Sequence, residues 1–116
     1  MINKDYGNIG EAKAILYYTE KGYIVSKPLI DNCPYDLIVD DGVSVQRVQV
    51  KSSRFKTEHD VYQVMLKTCG GNRSAKDKVK KFDATQVEIL FVALSDGRCF
   101  EYDAKQLHGR STLNIR

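Results

Sequence analysis

Apolar or small side chains recur at Ile9, Ala12, Ile15, Leu16 and Thr19, the spacing of one buried stripe on a helix over residues 9–21. Lys21 suits the negative end of the helix dipole, and Gly22 can take the left-handed conformation that ends helices, so the helix is predicted to stop there. Residues 23–26 read as a short strand closed by Pro28, and residues 35–40, Tyr-Asp-Leu-Ile-Val-Asp, as a second. Asp41-Gly42 supplies the chemistry of a tight hairpin turn, after which residues 43–52 return as a longer strand. Strand alternation puts Val48 and Val50 on one face of that strand and Arg47, Gln49 and Lys51 on the other. Residues 61–66 predict a third strand of the meander, residues 68–74 a glycine-rich loop, and residues 75–83 a short basic segment with helical character. Residues 87–94 are almost continuously apolar, the pattern of a strand buried on both faces. Ser95-Asp96-Gly97 then turns the chain into a last strand over 98–102. This order predicts an α/β sandwich around a mixed sheet.

Composition adds one domain and no second. A chain of 116 residues fits a single core, assigned to residues 1–116, and its 42% hydrophobic and 28% charged content is that of a soluble globular domain. Neither a run of about 18 apolar residues nor a signal-peptide pattern is present, so no membrane partner and a cytoplasmic location are expected. Cys33, Cys69 and Cys99 are too scattered for a disulfide framework and are read as reduced thiols. Zinc ligation by these cysteines with His59 and His108 lacks any recognisable ligand spacing and is not favoured.

Charge is unevenly placed. The net charge is +3, yet residues 51–81 carry nine basic residues against three acidic ones, a surplus of six that leaves the remainder acidic. Such a concentrated positive field is the footprint of a surface that neutralises phosphates, whereas a charge run in an average protein is simply a solvated face.

What separates these readings is the chemistry just upstream. Asp36 begins one strand of the predicted hairpin, and Gln49 and Lys51 end the other, so the turn brings them toward one another. Counted from Asp41-Gly42 the match is loose, and a bulge or a longer turn has to absorb the difference. Phosphodiester hydrolysis needs a divalent cation to acidify a water and to stabilise phosphoryl charge, together with a cation near the attacking water. Magnesium takes oxygen ligands and keeps several waters. Asp36, the side-chain carbonyl of Gln49 and the main-chain carbonyl of Val50 offer such ligands. Lys51 would orient or activate the water, and Glu11, near the start of the first helix, could add a second carboxylate.

Gly10-Glu11-Ala12, Pro34-Tyr35-Asp36-Leu37-Ile38-Val39 and Val48-Gln49-Val50-Lys51-Ser52-Ser53, in this order, resemble the PD-(D/E)XK nuclease superfamily. The Gln-Val-Lys version resembles more narrowly the homing endonucleases of group I introns and the related Holliday junction resolvases, over about residues 7–103. The resemblance implies a restriction-endonuclease-like αβββαβ core with a central mixed sheet flanked by helices. It implies double-stranded DNA as substrate, Mg2+ as cofactor with Mn2+ as substitute, and a homodimer or homotetramer. Carried over by position, Glu11, Asp36, Gln49 and Lys51 are the catalytic set, and Glu11, Asp36, Gln49 and Val50 hold the metal. Two departures stand out: Tyr35 separates Pro34 from Asp36, and Gln49 replaces an acid, which removes one negative charge and weakens metal binding. Resolvases usually keep that acid, so Gln49 points to the intron-type enzymes, and it also fits a decayed site.

Taken singly, each residue has an ordinary explanation: Asp36 as a turn former, Glu11 as a dipole-complementing charge, Gln49 and Lys51 as a solvated strand face. Their joint appearance ahead of the basic third favours a site. Ser52, Ser53 and Arg54 continue from Lys51 and are candidate phosphate contacts, as are Gln63, Lys67, Arg73, Lys76 and Lys78. Gly70-Gly71-Asn72-Arg73 lacks the strand and helix context of a nucleotide-binding loop. Tyr17, Tyr18 and Tyr62 are read as core or interface residues rather than base-stacking platforms. The leading reading is a magnesium-dependent endonuclease of homing type, acting as an oligomer because so short a chain cannot span a long target. A junction resolvase and a catalytically silent nucleic-acid-binding module of the same fold are the alternatives.

Overall fold

The computed structural model describes residues 3–69 and 79–116. Helix α1 (Asn3–Glu20) is followed by strands β1 (Ile24–Ser26), β2 (Leu37–Asp40) and β3 (Val45–Ser53). Strands β4 (Tyr62–Met65), β5 (Thr68–Cys69), β6 (Val79–Lys80), β7 (Ile89–Leu94) and β8 (Cys99–Asp103) come next, then a 3-10 turn (Ala104–Leu107) and β9 (Thr112–Ile115). The central sheet runs β1-β2-β3-β7-β8; β3 and β7 are parallel and the other pairs antiparallel. This is a mixed sheet with the restriction-endonuclease-like arrangement that the sequence resemblance implied.

The helix stops where its sequence predicts. Gly22 takes φ +83°, its N–H donates to Thr19 O at 2.9 Å, and Tyr23 N–H reaches Tyr18 O at 3.1 Å. Those two bonds satisfy carbonyls that a helix end otherwise leaves unpaired. The buried stripe, however, is not the expected one. Gly10, Ala14 and Tyr18 face the sheet at i, i+4 and i+8, while Leu16 is 59% exposed and Ile9 and Ile15 also lie outside. Small and aromatic residues win that face because the helix lies close against β3. A Cβ added at Gly10 would stand 2.0 Å from Ser52 Oγ.

Two cores sandwich the sheet. On the α1 face, Ala14 and Tyr18 pack with Leu37, Val39, Val48, Ile89, Phe91 and Ala93. On the other, Leu90, Val92 and Leu94 pack with Val64 of β4, Leu66 just past it, Leu107 of the 3-10 turn and Leu113 of β9. Strand β7 feeds both faces, and all six of its residues are buried, as its unbroken apolar run predicts. Each such Leu, Ile, Val or Phe contributes about 1.5–3 kcal/mol relative to exposure. Tyr18 and Tyr62 are core residues and Tyr17 is half-buried against Phe91.

Two further expectations are corrected. Residues 61–66 do not extend the meander: β4 leaves the sheet and pairs with β9, a strand the sequence analysis did not anticipate. The parallel partner of β3 is instead β7, whose apolar side chains fill both faces. Of the basic segment 75–83, Val79–Lys80 is a strand paired with Thr68–Cys69 rather than helical, and residues 75–78 lie outside the described residues.

Candidate active site

The site forms at the open end of the β2–β3 hairpin. The turn is wider than the tight one expected. Asp41 N–H donates to Ser44 O at 3.2 Å, Asp41 Oδ1 accepts the N–H groups of Val43 and Ser44 at 2.8 Å each, and Gly42 takes φ +92°. With residues 41–44 in the turn, Leu37 pairs with Val48 and Asp40 with Val45. One further step in this register brings Asp36 level with Gln49, so the longer turn takes up the mismatch in residue count.

Asp36 is fixed from two sides. Its N–H donates to Val48 O at 2.8 Å, and its Oδ2 accepts Val50 N–H at 2.7 Å. The carboxylate thus takes the place of a backbone acceptor where β2 ends and β3 runs on. Burial holds its pKa above the ordinary carboxylate value; the Val50 N–H opposes that rise, Glu11 adds to it, and Lys51 and Lys27 oppose it. Lys51 is half-buried two residues beyond Gln49 on the same side of β3. Burial lowers its pKa and the Asp36 charge partly restores it. Two desolvated groups of opposite charge at one strand end are the pattern of functional sites more often than of plain surfaces.

Glu11 reaches the same place from α1. It follows Gly10, whose lack of a side chain lets the helix settle on Val50 and Ser52. Its carboxylate forms an ion pair with Lys27 Nζ. Lys27 was not singled out in the sequence. It lies just past β1, and continuing the β1–β2 register beyond Ser26 and Ile38 places it beside the start of β2, where Asp36 stands. Only the pairing register reveals this neighbour; a lysine before Pro28 carries no signal of its own.

Glu11 and Lys51 thus both act electrostatically on Asp36, and Gln49 lies on β3 two residues before Lys51. Among the described residues no group of three or more His, Cys, Asp or Glu could hold a metal. The donors that a cation would meet here are two carboxylates, Glu11 and Asp36, and two neutral oxygens, the Gln49 amide oxygen and the Val50 carbonyl. Such an all-oxygen set fits a hard cation that keeps part of its water shell.

The candidate phosphate contacts divide. Ser52 Oγ donates to Tyr6 O at 3.1 Å, and Ser53 Oγ, on a buried residue, donates to Gln63 O at 2.6 Å. Both hydroxyls donate to main-chain carbonyls: one serine ties β3 to α1, the other ties β3 to β4. Arg54 lies over the Tyr6 ring at 4.7 Å. Gln63 is half-buried on β4 and Lys67 is exposed. Arg73, Lys76 and Lys78 lie outside the described residues.

A family model described as PD-(D/E)XK endonuclease matches residues 1–116. The chain belongs to the PD-(D/E)XK endonuclease family. The fold agrees: a solved structure of a bacterial homing endonuclease, I-Ssp6803I, superposes with a TM-score of 0.85 at 23% identity, covering 100% of this chain and 79% of that one. No curated protein matches. The family is one of nucleases that generally use divalent metal ions and whose substrate is DNA. No helix among the described residues is long and apolar enough to cross a membrane.

Proposed function

We propose that this chain is a magnesium-dependent endodeoxyribonuclease of the homing type, acting on double-stranded DNA as a homodimer or homotetramer. The observation that carries the reading is the Asp36 carboxylate locked onto Val50 N–H beside the half-buried Lys51, with Glu11 delivered from α1. Asp36, Gln49, Val50 O and Glu11 would hold the cation, which when bound supplies acidification of water and stabilisation of phosphoryl charge. Lys51 orients the attacking water, and its lowered pKa leaves it readier to exchange a proton near neutrality than an exposed lysine. Manganese, of the same oxygen preference, would substitute. The homing assignment is supported by Gln49, where resolvases usually keep an acid, and by the fold likeness to the bacterial homing endonuclease.

The test is nicking of plasmid DNA in magnesium by the parent chain and by Asp36→Ala and Lys51→Ala. Cleavage that requires magnesium and falls by at least about a hundredfold in either variant is expected, from loss of a positioned acid–base or charge-stabilising group. A parent that binds but never nicks DNA would instead support the silent binding module, a reading favoured by the replacement of the second acid with Gln49. Preference for a synthetic four-way junction over every duplex would favour the resolvase.

A further inference from the structure

Lys27 is the cation that the family motif does not contain. Its ammonium pairs with Glu11, and Asp36 and Asp31 also act on it. Its side chain is 64% exposed, so it sits at the mouth of the site rather than beneath it. Asp36 and the charges that act on it make two carboxylates, Glu11 and Asp36, and two ammonium groups, Lys27 and Lys51, while Asp31 acts on Lys27 alone. With Gln49 neutral, that centre is already balanced, and a divalent ion entering it would leave an excess of two positive charges. Lys51 is half-buried under the influence of the Asp36 charge and has less room to move. Lys27 is exposed, on a flexible stem, and can move.

We propose that Lys27 is an exchangeable cation: it occupies Glu11 while the site holds no metal, and passes to a DNA phosphate when a divalent ion takes the two carboxylates. This rests on the metal-centre reading given above. A DNA phosphate restores the balance that the metal disturbs, because it gives Lys27 a new anion within reach. Metal and DNA are then positively coupled, each tightening the other by the same factor as linkage requires. Lysine suits this role better than arginine, since a compact ammonium on a four-carbon stem changes partners without the fixed geometry of a bidentate fork.

The experiment uses the full chain and two readouts other than cleavage. Manganese binding without DNA is measured by calorimetry for the parent, Lys27→Gln, Asp36→Asn and Lys21→Gln. Affinity for a long random-sequence duplex in calcium is then measured over a range of salt. Lys27→Gln is expected to bind manganese about tenfold more tightly, since a positive charge beside the carboxylates is gone. Its salt dependence on DNA should be shallower by about one phosphate contact, a change of roughly 0.9 in the log–log slope. Lys21→Gln, which removes an equal charge beside Glu101, should leave both values at those of the parent. If Lys27→Gln leaves either value unchanged, or Lys21→Gln changes both to the same extent, the exchange is overturned. If the parent binds no manganese, or Asp36→Asn binds it as well as the parent, the metal-centre reading fails and the exchange fails with it. Manganese binding that depends on Asp36 but ignores Lys27 overturns the exchange alone.

Discussion

Gly10 on the first helix and Ser52 on β3 are in direct apposition: a Cβ at Gly10 would lie 2.0 Å from Ser52 Oγ, 3.4 Å from Ser52 Cβ and 3.6 Å from Val50 Cγ1. Ser52 Oγ is held there by its bond to Tyr6 O. A helical glycine normally costs about 1 kcal/mol relative to alanine. The close approach it permits is what seats Glu11 over the end of the hairpin.

Gly10→Ala should therefore destabilise the fold despite its better helix propensity, by about 1–3 kcal/mol, the usual cost of overpacking. It should also cut cleavage more than stability explains, because Glu11 shifts with the helix. Adding Ser52→Ala removes the clashing oxygen and leaves a Cβ separation that small adjustments can absorb. The double variant should recover most of the lost stability, and a chemical denaturation series on the four proteins measures the coupling. Equal stability of Gly10→Ala and the double variant would show that the oxygen is not what sets the helix height.

Much of the fold around the candidate site was legible in the sequence, for a physical reason that also explains the failures. Alternation along β3 fixes which residues share a face whatever the tertiary partner, so Val48 separated from Gln49 and Lys51 as expected. The apolar run of β7 identified a doubly buried strand without reference to its neighbours. The stripe on α1 misled because apolarity was taken as the mark of the buried face, whereas a helix pressed against a strand selects for size. Gly10, Ala14 and Tyr18 carry little hydrophobic signal between them. Partner choice was likewise hidden: β4 has the alternation of a sheet strand, and nothing local says that it pairs with β9 instead of β3. Lys27 escaped notice for the same reason, since its neighbour is set by register across β1 and β2.

Arg47 and Glu88 clamp β3 to the entry of β7. Glu88 Oε1 accepts Arg47 N–H at 2.7 Å and Nε–H at 3.1 Å, Oε2 pairs with the guanidinium, and Glu88 N–H returns to Arg47 O at 3.0 Å. The Arg47 hydrogen bonds hold the Glu88 carboxyl below its ordinary pKa of 4.5. A depressed folded-state pKa gives stability that is present above the unfolded value and lost as pH falls through the folded one. Denaturation midpoints between pH 7 and pH 3 should therefore drop more steeply in the parent than in Glu88→Gln, which begins lower at pH 7. Both side chains are more than a third exposed, so the effect is screened by solvent and salt. Parallel curves for the two proteins would contradict the assignment.

Tyr18 is fully buried in the α1-side core, and its Oη has no hydrogen-bond partner among the described residues. Burial, with the Glu101 charge nearby, pushes its pKa far above the usual phenol. A buried hydroxyl without a partner carries a desolvation penalty and returns nothing. Tyr18→Phe keeps the ring contacts with Tyr17, Tyr23 and Phe91 and should raise stability by about 1 kcal/mol. Thermal unfolding of the two proteins decides this, and a loss of stability would mean that the hydroxyl is bonded in solution.

Ser53 separates a structural serine from a DNA contact most cleanly. Its hydroxyl is buried and donates to Gln63 O at 2.6 Å, while Ser95 N–H donates to Ser53 O at 2.9 Å, so this one residue joins β3, β4 and the end of β7. Ser53→Ala leaves the Gln63 carbonyl without that donor and should cost about 1–3 kcal/mol of stability, the price of a buried polar group losing its partner. If the hydroxyl touches only protein, the salt dependence of DNA binding must be unchanged, because no phosphate contact is lost. Lys67→Ala is the complementary case: Lys67 is exposed, its removal should scarcely alter stability, and any part it plays in binding will appear as a shallower salt slope. A stable Ser53→Ala protein with a reduced slope would reverse the assignment and put that hydroxyl on the DNA.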